Sequence, residues 1–99
     1  MSSTSVIRSW KNAATRRFAE SGGAKGRFSG LDEVKGLSRL QQLDAATSLN
    51  VFKAYRSVGL HKLGGDRDGF LAITINGPWR LVFRFKSGDA FDIEIVDYH

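Results

Sequence analysis

The chain has 99 residues, 41% of them hydrophobic, 11% aromatic and 25% charged, which reads as one globular domain spanning 1–99 with no room for a second core. It contains no cysteine, which excludes a disulfide framework, a Cys-type zinc site, an iron–sulfur cluster and a thiol nucleophile. Lysine and arginine number 15 against 10 aspartates and glutamates, a net charge of +5. The excess is uneven: residues 1–65 hold 11 basic and 4 acidic side chains, residues 66–99 hold 4 and 6. A basic surface of this kind collects polyanions such as nucleic acid, and it also serves plain solubility. No apolar run approaches the roughly 20 residues of a membrane helix, and Met1–Trp10 lacks the apolar core of a signal peptide, so a soluble cytoplasmic protein is expected.

In chain order, Val6–Trp10 alternates weakly and reads as a short first strand. Asn12 can cap a helix reaching about Glu20, with Trp10, Ala14 and Phe18 four apart on one face and Ser21-Gly22-Gly23 as its stop. A basic, glycine-containing loop, Ala24–Phe28, follows. Ser29 and Asp32 form an S-x-x-D start signal for a second helix running to Ala46. Its apolar residues Leu31, Val34, Leu37, Leu40 and Leu43 fall three apart, a spacing that drifts around a helix of 3.6 residues per turn. Gly36, at an exposed helix position, would cost about 1 kcal/mol relative to alanine. Leu49–Tyr55 allows one or two helical turns carrying Phe52 inward.

From Val58 the pattern switches to period two. Val58–Leu63 reads as a strand or strand entry, and Phe70–Asn76, Trp79–Lys86 and Ala90–Asp97 as three good strands. Register follows from parity, because a one-residue slip turns a whole apolar face to water. Three-residue loops, Asn76-Gly77-Pro78 and Ser87-Gly88-Asp89, would pair Ile75 with Trp79, Ile73 with Leu81, Phe85 with Phe91, Phe83 with Ile93 and Leu81 with Ile95. Phe91 then belongs to the apolar face. The opposite, polar face carries Thr74, Arg80, Arg84, Asp92 and Glu94, with Arg84 opposite Asp92 and no acid opposite Arg80. The fold expected is α+β: N-terminal helices on one face of a mainly antiparallel sheet.

Chemistry converges in one place. His61 and His99 are the two histidines, the side chains whose unperturbed ionisation lies near neutrality. Strand pairing brings Arg80 next to the end from which Asp97-Tyr98-His99 emerges. A general acid and base beside an arginine suits phosphodiester cleavage, since the guanidinium fork matches phosphoryl oxygens. Tyr98 can donate a proton or stack on a base. Each residue has a plainer use as well: His61 as a hydrogen-bonded, half-buried side chain, Arg80 as partner of the terminal carboxylate. A metal held by His61, Asp97 and His99 is conceivable. Gly64-Gly65-Asp66-Arg67-Asp68-Gly69 lacks the spacing and closing glutamate of a calcium loop, and no Walker A or nucleophile-elbow sequence occurs.

The run Leu60-His61-Lys62-Leu63, Gly65-Asp66-Arg67, Gly69, Ile73, Ile75-Asn76, Trp79-Arg80, Phe83, Gly88-Asp89-Ala90 and Glu94-Ile95-Val96-Asp97-Tyr98-His99 resembles the HigB family. These are toxins of bacterial type II toxin–antitoxin systems, also called plasmid maintenance system killer proteins, within the RelE-like superfamily. The likeness is close over residues 60–99 and looser toward the amino end, through Ile7-Arg8-Ser9, Phe18 and Leu40…Leu43-Asp44-Ala45-Ala46. It implies a RelE-like fold and an mRNA interferase that enters the ribosomal A site of the 70S ribosome and cuts the message there. It also implies no metal or other cofactor, and attack by a 2′-hydroxyl that leaves a 2′,3′-cyclic phosphate and a 5′-hydroxyl.

Carried over, His61, Arg80, Asp97, Tyr98 and His99 would form the active site. Arg80 would hold the phosphate, His99 and His61 would share acid–base and positioning work, Asp97 would orient a histidine and Tyr98 would place the base. Lys62 and Arg67 lie in the matching run and are expected at the RNA. Arg16, Arg17, Lys25 and Arg27 are assigned to ribosomal RNA from charge alone, against the reading of a solvated helix face. The family's partner is a HigA-type helix-turn-helix antitoxin. Two departures stand out: Gly64, where many relatives carry a lysine, and Gly77-Pro78, where relatives usually have polar residues. The alternative is a module of the same fold that binds RNA, the ribosome or the antitoxin without cutting.

Overall fold

The helices start where a side chain can satisfy the free backbone amides of the first turn. The computed structural model describes residues 6–22, 28–46, 50–53 and 58–98. Helix α1 covers Ala13–Ser21, with Asn12 accepting from the Thr15 amide and Gly22 closing it at φ 79°. Helix α2 covers Glu33–Asp44, and its cap is Asp32, which accepts from the Lys35 amide. The helix therefore begins three residues later than the S-x-x-D signal suggests, and Ser29 lies in the preceding turn. Helix α3, Asn50–Lys53, is a single turn that buries Phe52.

Four strands form an antiparallel sheet in sequential order: β1 His61–Lys62, β2 Leu71–Asn76, β3 Trp79–Lys86 and β4 Asp89–Asp97. Two helices packed on one face make the fold α+β, as expected of a RelE-like toxin. β1 is shorter than the Val58–Leu63 pattern implies. A 3-10 turn, Gly65–Arg67, links it to β2.

Both hairpins depart from the expected register. Asn76 pairs with Trp79 across the two-residue turn Gly77-Pro78, and Lys86 pairs with Asp89 across Ser87-Gly88. Those turns suit the twist of the strands: Gly77 has φ 48° beside a proline, and Ser87 and Gly88 have φ 53° and 82°. A two-residue turn alone would invert the apolar face, and a bulge in each hairpin restores it. One lies between Thr74 and Asn76, so Ile75 does not pair with Trp79. The other lies opposite Phe83, with Asp92 at φ 53°, and the central pairs Ile73–Leu81 and Leu81–Ile95 hold as expected. Before that bulge, Arg84 pairs with Phe91 and Phe85 with Ala90. Phe91 thus moves to the polar face and fully buried Ala90 takes the core position, which corrects the expectation from parity.

Val6–Trp10 is not a regular strand. It runs parallel to β4 through two isolated bridges, Ile7–Ala90 and Trp10–Ile93. The bulge interrupts the ladder between them, and there the Ser9 hydroxyl accepts from the Asp92 amide at 2.8 Å. Further along, buried Thr15 accepts from the Ile95 amide at 3.1 Å, so α1 closes the edge of β4.

The core lies between the helices and the sheet face of Leu71, Ile73, Ile75, Trp79, Leu81, Phe83, Ile93 and Ile95, filled by Phe18, Leu31, Leu40, Leu43 and Phe52. A fully buried side chain of this size contributes about 1.5–3 kcal/mol relative to exposure. The drifting spacing in α2 resolves simply: Val34 points outward at 79% exposure while Leu40 and Leu43 are buried. Gly36 is buried rather than exposed, and a Cβ there would stand 3.0 Å from Cζ of Phe18.

Candidate active site

Parity sorts the sheet's residues into two faces. Arg80 pairs with Thr74 and Val96, and His61 pairs with Ala72, itself paired to Val82 and through it to Glu94. Directly paired residues share a face, so His61 and Arg80 are both on the polar one. They are two strands apart, about 10 Å, and one side-chain step of about 7 Å along the strand. That face is less open than its composition suggests, since Ala72 and Val82 are fully buried there.

Arg80 is held at its base. Its Nη1 donates to the carbonyls of Gly77, at 2.6 Å, and Trp79, at 3.0 Å. The β2–β3 turn thereby fixes the guanidinium plane. Nε and Nη2 make no hydrogen bond among the described residues, so one edge of the fork is available to an anion.

The turn is anchored in turn by side chains whose positioning role no sequence signal points to. Asn76 accepts from the Asp32 amide at 2.8 Å and donates to the Gly30 carbonyl at 3.0 Å. Trp79 Nε1 donates to the Ser29 carbonyl at 3.2 Å, and its ring meets Phe28 edge-on at 5.6 Å. On the far side, Arg39 of α2 donates to the Thr74 carbonyl at 2.8 Å.

His61 lies exposed on β1, with Nδ1 3.1 Å from the Gly59 carbonyl. A carbonyl only accepts, so this bond requires the hydrogen on Nδ1 and leaves Nε2 of the neutral ring as an acceptor. Tyr98 continues the β4 track past its last strand residue, its amide donating to the Pro78 carbonyl at 2.8 Å. The alternation through that bond returns Tyr98 to the face of Arg80. Asp97 pairs with Trp79 and so emerges on the opposite, helix-side face, exposed. His99 lies outside the described residues. Arg80, His61 and Tyr98 are thus brought to one face, and Asp97 is not.

The basic residues divide as well. Arg67 extends from the 3-10 turn onto the polar face, where its Nη1 is 3.5 Å from Glu94 Oε1. Lys62 pairs with Leu71 and is exposed on the other face at the sheet edge. Arg16 and Arg17 are exposed on α1, on the helix side, where Arg16 pairs with Glu20 at 2.9 Å. Lys25 and Arg27 lie outside the described residues. Gly64 meets nothing within 4 Å of an added Cβ, so a longer side chain would find open space there. No group of three metal-ligating side chains occurs among the described residues, and no described helix is long and apolar enough to cross a membrane.

An arginine whose Nε and Nη2 make no hydrogen bond among the described residues, a histidine presenting an acceptor nitrogen and a phenol on one face make a site suited to a phosphodiester. Residues 8–99 match the family model of RelE-like HigB toxins of type II toxin–antitoxin systems. Over 94 residues, which are 95% of this chain and the whole of the relative, the chain is 34% identical to the endoribonuclease HigB of Proteus vulgaris. The chain belongs to the HigB family of RelE-like toxins of type II toxin–antitoxin systems.

Proposed function

We propose that this chain is an endoribonuclease that cuts mRNA in the ribosomal A site without a metal ion, and that a HigA-type helix-turn-helix antitoxin neutralises it in the cytoplasm. The observation that carries this reading is the Arg80 guanidinium, tied through Nη1 to the Gly77 and Trp79 carbonyls on the face that also holds His61. The free edge of Arg80 binds the non-bridging oxygens of the scissile phosphate and stabilises the charge that builds on them.

His61 Nε2 accepts the proton of the 2′-hydroxyl. The 2′-oxygen then forms its bond to phosphorus as the bond to the 5′-oxygen breaks, and the leaving oxygen takes a proton from an acid, the role assigned to His99. A 2′,3′-cyclic phosphate and a 5′-hydroxyl result. Tyr98 stacks on or hydrogen-bonds the neighbouring base. Asp97, set on the other face, orients the terminal histidine rather than touching RNA.

The test is end chemistry on programmed ribosomes in which magnesium keeps the particles intact, with free message in the same buffer as the control. The proposal expects fragments with 5′-hydroxyl and 2′,3′-cyclic phosphate ends from the ribosome-bound message alone. Fragments bearing 5′-phosphates would overturn the mechanism, and equal cutting of free message would overturn the dependence on the ribosome.

A further inference from the structure

The polar face holds a second group of side chains that the proposed chemistry does not use. Arg84 lies on β3 four residues beyond Arg80, about 13 Å along the same face. Its Cζ is 5.8 Å from the ring centroid of Phe70 and 5.8 Å from that of Phe91. Asp92 locks the guanidinium, with Nε at 3.0 Å and Nη2 at 2.9 Å from the same carboxylate oxygen. Arg67, at Glu94, sits in the row between, so three guanidinium groups line this face from Arg80 to Arg84.

Phe91 is there because of the bulge. Without it the alternation would bury the ring beside Ile93, and the backbone reaches φ 53° at Asp92 to turn it outward. Bulges next to functional sites commonly re-aim a side chain in this way. The bulge thus sets a second half-exposed ring beside the arginine plane that Phe70 already flanks. The ion pair with Asp92 offsets the charge of Arg84, so it is a weak phosphate ligand. Its planar face, flanked by two rings, is suited to an unstacked nucleobase. Aromatic rings and a guanidinium plane set along one face are a sequence-tolerant platform for the bases of single-stranded nucleic acid.

We infer that Phe70, Arg84 and Phe91 form a stacking site for a base of the message a few nucleotides from the scissile phosphate. This rests on the nuclease reading above, and the test separates the two. Cleavage rates are measured on ribosomes programmed with messages carrying a single abasic nucleotide at successive positions around the cut, for wild type, Phe91→Leu and Phe70→Leu. Leucine keeps the apolar cover and removes the π-face, and urea unfolding checks that each variant is folded.

The expected result is one abasic position that slows wild type about tenfold, the worth of one stacked base. Phe91→Leu and Phe70→Leu should be comparably slow on the intact message and indifferent to that lesion. Indifference of cutting by wild type to every lesion overturns the stacking site and leaves the nuclease standing. The stacking site also falls if lesion and substitution slow the reaction independently, so that their factors multiply. Failure of wild type to cut any message overturns the nuclease reading and this site with it.

Discussion

The amide of Tyr98 donates to the carbonyl of Pro78 across 2.8 Å, one residue past the end of β4. The C-terminal segment is thereby tied to the same turn whose Gly77 carbonyl receives Nη1 of Arg80. Two candidate groups, one from the middle of the sheet and one from its end, are positioned by a single two-residue turn. If Arg80 and Tyr98 act as proposed, the geometry of that turn sets the rate of cleavage, although neither of its residues carries a reactive side chain.

Gly77 should therefore tolerate little. Its φ of 48° is in the left-handed region, where a β-branched residue is strained by roughly 1–2 kcal/mol. Gly77→Val is expected to lower stability by about that amount and to reduce cleavage further than stability explains, because the Arg80 anchor moves. Gly77→Ala, which lacks the β-branch, should lose less of both. Urea midpoints and cleavage rates measured together check the pair.

Arg80→Ala should reduce cleavage about 100-fold or more, the usual effect of removing a transition-state charge donor. Its partly exposed side chain contributes little to the core, so the urea midpoint should hardly change. Arg80→Lys is expected to rescue little. An ammonium cannot bond two turn carbonyls and present a planar fork to the phosphate at once.

Thr15 offers a purely structural control. Its side chain is fully buried and its Oγ1 accepts from the Ile95 amide at 3.1 Å. Thr15→Val keeps the volume and leaves that amide unpaired, so the expected cost is about 1–3 kcal/mol. Thr15→Ser retains the bond and should cost less. Denaturant unfolding distinguishes them, and catalytic rates of the folded fraction should not differ.

Gly36→Ala sets two effects against each other. Alanine gains up to about 1 kcal/mol of helix propensity, but its Cβ would stand 3.0 Å from Phe18 Cζ and 3.1 Å from Cε2. Phe18 is 1% exposed and packed edge-on against Phe28 at 6.0 Å, so it has no room to retreat. Overpacking wins, and a net loss of about 1 kcal/mol is expected in urea unfolding.

Much of this structure is legible along the chain, and the misses share one cause. Alternation locates all three long strands, and Asn12 and Gly22 mark both ends of α1, because those signals are local. Register depends on loop length and bulges together. Two-residue turns with a compensating bulge and three-residue turns without one give the same parity in mid-strand. Leu81 thus falls opposite Ile73 and Ile95 as parity predicts, while Phe91 and Ile75, beside the bulges, do not keep their predicted partners. Asp92 at φ 53° is a faint signal, since aspartate tolerates that region better than most residues.

The same limit applies to the site. His61, Arg80 and Tyr98 fall on one face because their pairing runs through regular ladder. Asp97 stands opposite Trp79, and adjacency in the tripeptide conceals that it emerges on the other side. The anchoring by Asn76 and Arg39 cannot be read from spacing, because their partners at Gly30, Asp32 and Thr74 are distant in sequence.

Cleavage on the ribosome at the Arg80 site is tested by mapping 5′ ends of a defined message in a translating bacterial extract, comparing wild type, Arg80→Ala and a chain lacking His99. New ends inside translated codons are expected for wild type and should be lost in both variants, each of which should still associate with ribosomes. Unchanged messages with wild type bound to ribosomes would contradict cleavage at this site and leave a binding module of the same fold.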